Sequence, residues 1–131
     1  MFTPRLDHLP NLRLSDTCRI LGITPRAFRF YEEQGLLEAH RDSMNHRLVD
    51  SATRRRVAWI AQLRRVGLTI KEVRCILAEE DDRGAGLDLA MTRLATRRRH
   101  IQDELAELDV LVAELTAKGA VPYAAPMPAA A

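Results

Sequence analysis

Residues 15–37 read SDTCRILGITPRAFRFYEEQGLL, two short helical patterns on either side of a Gly-Ile-Thr-Pro break. Ser15 or Asp16 is placed to cap the first pattern by accepting a backbone N–H bond, and Cys18, Ile20 and Leu21 supply its apolar bulk. Gly22 ends it, because glycine enters the left-handed conformation favoured just past a helix C-terminus. Thr24 is a natural N-cap for the second pattern, with Pro25 at the first helical position, where a missing N–H costs nothing. Arg26 and Arg29 lie on the side of that helix away from Ala27, Phe30 and Leu36. Two helices joined by a short glycine-bearing turn, the second basic near its start, spell a helix-turn-helix, which reads DNA with its second helix.

The 131 residues are enough for one compact domain plus an extension. A composition 47% hydrophobic but only 5% aromatic suits an all-α protein built on Leu, Ala and Val. The net charge of +2 hides a segregation: Lys and Arg outnumber Asp and Glu up to Arg74 and are outnumbered from Cys75 onward. A basic front and an acidic back point to a nucleic-acid-binding part joined to a part with another task. Cys18 and Cys75 are too few, and too embedded in helical patterns, for a disulfide framework. No apolar run reaches the roughly 18 residues of a membrane span, and no signal-peptide core stands at the N-terminus. The expectation is a soluble, cytoplasmic protein without a membrane partner.

Residues 1–11 contain two prolines and no clear period, and read as a flexible arm. A DNA-binding domain is expected over 12–80. After Leu37, EAHRDSMNHRLVD is polar and basic with a short alternation at 46–49, the pattern of a small β-hairpin or wing. Asp50 or Ser51 starts a third helix through Val57, Trp59, Ile60, Leu63 and Val66. Gly67 closes it, and Thr69 caps a fourth through Ile70, Val73, Ile76 and Leu77. Residues 81–86 read as a linker. From 87 to 117 the pattern becomes a heptad: Leu87, Met91, Leu94, Arg98, Ile101, Leu105, Leu108, Val112 and Leu115 step by four and three residues alternately. A single helix cannot bury such a stripe, so these positions predict a dimerisation coiled coil. Residues 118–131, rich in Ala and Pro, read as a disordered tail.

GITPRAFRFYEEQGLL (22–37), NHRLVD (45–50), RVAWIAQLRRVGLTIKEVRCIL (56–77) and the long terminal helix together resemble, in order and distance, the MerR family of bacterial transcription regulators. The resemblance covers Leu12 to about Ala117. It implies a winged helix-turn-helix with a small β wing, followed by a long C-terminal helix that joins two subunits in an antiparallel coiled coil. Such a homodimer sets two recognition helices on a palindromic element of double-stranded promoter DNA whose spacer is too long, and distorts it so that RNA polymerase can engage. An effector normally switches the dimer. Its identity here is open: a small molecule in a groove between coiled coil and DNA-binding domain, another protein, or none.

The candidate DNA-binding residues are Thr24, Pro25, Arg26, Arg29, Tyr31, Arg41, His46 and Arg47. Guanidinium groups bind phosphate or guanine edges bidentately, which favours Arg26 and Arg29. A solvated face paired with Glu32 or Glu33 is the plainer reading of the same two. The N–H groups after Thr24 offer a phosphate site at a helix start. The resemblance assigns Tyr31 and Arg47 to the DNA backbone. It also marks departures: His46 and Val49 stand where the family has tyrosines, and Asn45 where it has glycine. Val49 cannot hydrogen-bond a phosphate, so a weaker wing is expected unless Arg41 or His40 compensates. Of Phe28 and Phe30, one is expected in the core. Arg54, Arg55 and Arg56 read chiefly as a charged face, and Trp59 as core or core edge.

Metal sensors of this family place thiolates at the start of the dimerisation helix and in a loop after it, where this sequence has no cysteine. Cys18 and Cys75 therefore read as small buried hydrophobes, and neither a metal nor a cofactor is expected. No Gly-rich phosphate loop, metal-spaced His/Cys cluster or activated nucleophile supports an enzyme. The rival is an antitoxin-like or adaptor DNA-binding dimer whose C-terminal helix binds a protein partner.

Overall fold

The computed structural model describes residues 11–79 and 84–121. The expected arm (except Asn11), residues 81–83 of the expected linker and residues 122–131 of the expected tail lie outside the described residues. The elements run β1 (Leu12–Arg13), α1 (Leu14–Leu21), α2 (Pro25–Glu33), β2 (His40–Arg41), β3 (Arg47–Val49), α3 (Ser51–Arg65), α4 (Ile70–Ala78) and α5 (Ala85–Ala117). The described residues are mostly helical, with one small antiparallel sheet.

That sheet has three strands in the order β1-β3-β2, where the hairpin pattern predicted two. Leu12 pairs with Val49 and Arg13 with Leu48, so the segment entering α1 is stitched to the central strand of the wing. This corrects the start of α1. Its N-cap is Arg13, extended at φ −65° and ψ 151° with no side-chain cap, so Ser15 and Asp16 lie inside the first turn. The strand pairing fixes the backbone there before any hydroxyl could, and Asp16 instead meets Arg19 at 3.2 Å on the surface.

The other helix boundaries fall where the capping chemistry placed them. Gly22 takes φ 68° and closes α1, with its N–H directed to Arg19 and the Ile23 N–H bonding the Cys18 carbonyl. Thr24 Oγ1 accepts the Ala27 N–H at 3.0 Å, and Pro25 opens α2. Asp50 accepts the Thr53 N–H at 2.7 Å and starts α3. Thr69 and Glu72 form a reciprocal capping box at α4.

Phe28, Val49, Val57, Ile60, Leu63, Leu68, Val73 and Ile76 are at most 2% exposed and form the core that fixes α2, α3, α4 and the wing. Full burial stabilises by roughly 1.5–3 kcal/mol for each such side chain before conformational entropy is counted. Phe28 is the core phenylalanine and Phe30 is exposed, one turn after Arg26 on the same face of α2. The expected separation of the arginines from Phe30 is thereby corrected: the buried side is that of Phe28 and Tyr31. Cys18 is buried as expected, whereas Cys75 is only half-buried. Trp59 is half-buried at the core edge.

Ala85 and Gly86 belong to α5 rather than to a linker. Gly86 lies so close to α4 that a Cβ there would stand 3.1 Å from the Ile76 carbonyl oxygen. What reads as a breaker in the sequence is a close-packing residue. The chain divides into two compact units, Met1–Arg93 and Leu94–Ala131. Within the second, Ile101, Leu105, Leu108, Val112 and Leu115 are 45–59% exposed along one continuous helix. Leu94 is half-buried, and Arg98 is exposed.

Candidate nucleic-acid interface

Helix α2 buries Phe28 and Tyr31 and turns Thr24, Pro25, Arg26 and Arg29 outward. The ring of Tyr31 is 7% exposed, so its packing role dominates and any contact beyond the protein is confined to the small part left at the surface. The wing turn is built by Asp42, whose Oδ1 accepts the Met44 N–H at 2.9 Å and the His46 N–H at 2.8 Å. Those bonds favour the charged form, the His46 N–H most, and hold the Asp42 carboxyl below the ordinary carboxylate range. Asn45 sits at φ 64°, which explains the family's glycine there: asparagine is among the few other residues that tolerate this conformation.

Three of the expected contact residues have partners within the chain, two of them inside the wing and one on α2. Arg41 donates from Nη1 to the Asn45 carbonyl at 3.0 Å, bracing the turn. His46 Nδ1 stands 3.3 Å from Asp42 Oδ2. Arg47 Nη1 lies 3.1 Å from Glu32 Oε1, a charge contact without hydrogen-bond alignment. Glu32 thus serves the wing: its other oxygen accepts the Ala39 N–H at 3.2 Å. Val49 is fully buried, so a hydroxyl at that position would face the core and not a phosphate.

A cleft of about 320 Å³ opens between α2 and the wing, lined by Arg13, Leu14, Ser15, Pro25, Arg29, His46 and Arg47. It brings together four of the eight candidates, Pro25, Arg29, His46 and Arg47. Thr24 and Arg26 stay exposed at the start of α2, Arg41 lies in β2, and Tyr31 lies in the core. The cleft adds Arg13, which sequence reasoning missed. Its only signal was a basic residue directly before a helix, and its placement depends on the unforeseen β1–β3 pairing. Three arginines from β1, α2 and β3 therefore converge on one concave surface, the charge pattern that recruits phosphates.

The Arg54–Arg56 run is not a plain charged face. Arg54 is 2% exposed and donates from Nη1 to the Val49 carbonyl at 2.8 Å. Arg56 donates from Nε to the Leu36 carbonyl. Both tie α3 to backbone that leads into the wing. Cys18 has its thiol raised above the ordinary value by burial, partly offset by the charge of Arg29, so it stays a neutral buried group. Among the described residues there is no cluster of His, Cys, Asp or Glu that could hold a metal ion. No helix is long and apolar enough to cross a membrane among the residues described.

A helix-turn-helix braced by a β wing, with arginines gathered between recognition helix and wing, defines a winged-helix DNA-binding protein. The chain matches the model of the MerR HTH family regulatory proteins over residues 12–80 and that of the MerR DNA-binding region over residues 54–118. It belongs to the MerR family, and is accordingly a DNA-binding transcription regulator and not an enzyme. It is similar to the HTH-type transcriptional regulator CueR of Bacillus subtilis, 24% identical over 101 residues, 77% of this chain and 71% of the relative. Among solved structures it is similar to HiNmlR, a MerR family regulator lacking the sensor domain and bound to promoter DNA, with a TM-score of 0.59, 17% identity and 77% of each chain covered. It is likewise similar to PbrR691 from Ralstonia metallidurans in complex with lead(II), with a TM-score of 0.62, 23% identity and 86% of this chain and 91% of that one covered. These structural likenesses establish the shared fold.

Proposed function

We propose that the chain binds a palindromic promoter element as a homodimer and controls transcription in the cytoplasm by distorting the promoter spacer, with RNA polymerase as its partner on the same DNA. The observation that carries this reading is the cleft where Arg13, Arg29 and Arg47 converge beside the exposed start of α2. Thr24, Pro25, Arg26 and Arg29 engage the groove edge and backbone, His46 and Arg47 the flanking phosphates, and Arg41 shapes the wing that delivers them. One such surface grips one half-site. The exposed seam of α5 supplies the second protomer, and the symmetry of the dimer then matches a palindrome. Binding energy drawn from both half-sites offsets the cost of deforming the spacer, of order 1–6 kcal/mol for a bent site of this length. A protein partner for the C-terminal helix, the antitoxin-like or adaptor reading, is favoured by no observation among the described residues.

Selection of bound sequences from random duplex DNA, followed by footprinting and transcription from the best site, tests the proposal. The expected footprint lies on a palindrome between promoter elements, with transcription changed by the protein. With about eight phosphate contacts per dimer, log affinity falls against log salt at a slope near −0.9 per contact. A flat salt response, or a footprint confined to an asymmetric site, refutes it.

A further inference from the structure

A second cleft, of about 490 Å³, lies between α3, α4 and the first turn of α5, and among the described residues shares no lining residue with the cleft between α2 and the wing. Arg55, Arg56 and Trp59 line it from α3, Ile76 and Leu77 from α4, and Leu87 from α5. Its size falls in the range that takes a small organic molecule, and a mainly apolar wall with a few placed charges is the make-up of such sites. Ile76 and Leu77, 2% and 6% exposed, give it a floor with no side-chain hydrogen-bonding group. Trp59 offers an indole for stacking at the edge of that floor. Leu87, the first seam position of the heptad, borders the cleft where α5 begins.

Charge is placed next to this apolar surface. Arg55 and Arg56 precede Trp59 by four and three residues, the helical spacing that sets side chains beside one another on one face of α3. Arg56 is held by its Nε bond to the Leu36 carbonyl, so part of its ordering cost is already met. A planar guanidinium beside an aromatic ring suits a planar anion, whose carboxylate can meet the fork while its ring stacks.

We propose that this cleft binds a small aromatic carboxylate, its ring against Trp59 over the Ile76 and Leu77 floor and its carboxylate toward Arg55 and Arg56. A regulatory role for the site rests on the promoter-binding function proposed above. The cleft lies where the first turn of α5 packs on α4, with Gly86 against the Ile76 and Glu79 backbone. An occupant there acts on the packing that anchors the start of the dimerisation helix.

Trp59 is the single tryptophan of the chain, so its emission reports on this cleft alone. The full chain is titrated with 4-nitrobenzoate, a quencher, and in parallel with its uncharged amide, 4-nitrobenzamide. Expected are saturable quenching by the carboxylate at one molecule per chain, about tenfold weaker binding of the amide, and a similar loss for Arg55→Gln. Operator affinity is measured without probe on the same preparation, which separates failure of the ligand site from failure of the DNA-binding reading. Linear quenching equal to that of free N-acetyltryptophanamide overturns the proposal. So does equal binding of carboxylate and amide with Arg55→Gln unaffected. An emission that changes with protein concentration but not with probe assigns the cleft to a second copy of the chain and also overturns it.

Discussion

Replacing Leu105 and Leu108 together with lysine should separate the protomers. In the single chain these residues are 56% and 59% exposed, so more than half of each side chain is still available for burial against a partner helix. Burying the remainder is worth roughly 1 to 1.5 kcal/mol apiece, since a full leucine is worth about 1.5–3 kcal/mol. A symmetric dimer contains both residues twice, so about 4–6 kcal/mol of association free energy is lost. That weakens the dimer by on the order of 10³- to 10⁴-fold. Lysine at a seam adds the cost of desolvating a charge, so this range is a lower bound. Val110 supplies the control. It is 59% exposed on the same helix but falls outside the heptad, so Val110→Lys should leave association unchanged. Sedimentation velocity at micromolar protein measures all three chains. A wild-type monomer, a double variant that stays dimeric, or a Val110→Lys variant that dissociates would each show the heptad to be misread.

Arg13→Ala should weaken operator binding by about 1–3 kcal/mol at moderate salt with the melting temperature nearly unchanged, a pattern read by fluorescence anisotropy and thermal melts. Gly86→Val should lower stability by about 1–3 kcal/mol, because its Cβ falls against the Ile76 carbonyl oxygen and backbone cannot move aside cheaply; calorimetry checks this. Asp50→Ala removes the α3 cap and should cost about 1 kcal/mol at pH 7. The Thr53 N–H is the main cause of the lowered Asp50 pKa, and Asp42 is lowered chiefly by the His46 N–H. Both carboxyls are more acidic folded than unfolded, so the stability they confer is whole above about pH 5 and lost as the pH falls through their folded values. Denaturation across pH 2–7 should show that loss, smaller in Asp50→Ala; a pH-independent difference between the two proteins contradicts the assignment.

The parts of the fold legible in the sequence are those decided within a few residues. Thr24, Asp50 and Thr69 each cap a helix through a side chain that reaches a backbone N–H three positions on, so the residue type and its place suffice. Asn45, marked as a departure from glycine, occupies the one positive-φ position among the described non-glycine residues. Illegible features depend on distant partners. β1 exists because Leu12 meets Val49, and two residues carry no period for a strand to show. Arg54 looks like its neighbours in the chain, yet only it is buried, because the carbonyl it satisfies belongs to the wing strand. Arg13 reaches the candidate DNA surface through that same pairing. The recognition helix was therefore legible, and the wing side of the cleft only in part.

The pairing of β1 with β3 also determines how the protein can be handled. Arg13 lines the cleft proposed to face DNA, and Asn11 lies two residues before it, so a group joined directly to Asn11 by a short linker would be held close to the mouth of that cleft. A short, flexible artificial linker holds its cargo at about millimolar effective concentration. An acidic affinity tag fused there would compete with phosphate for Arg13, Arg29 and Arg47, while a basic one would add attraction blind to sequence. Affinities measured with a tag joined directly at Asn11 would then report the tag as much as the protein.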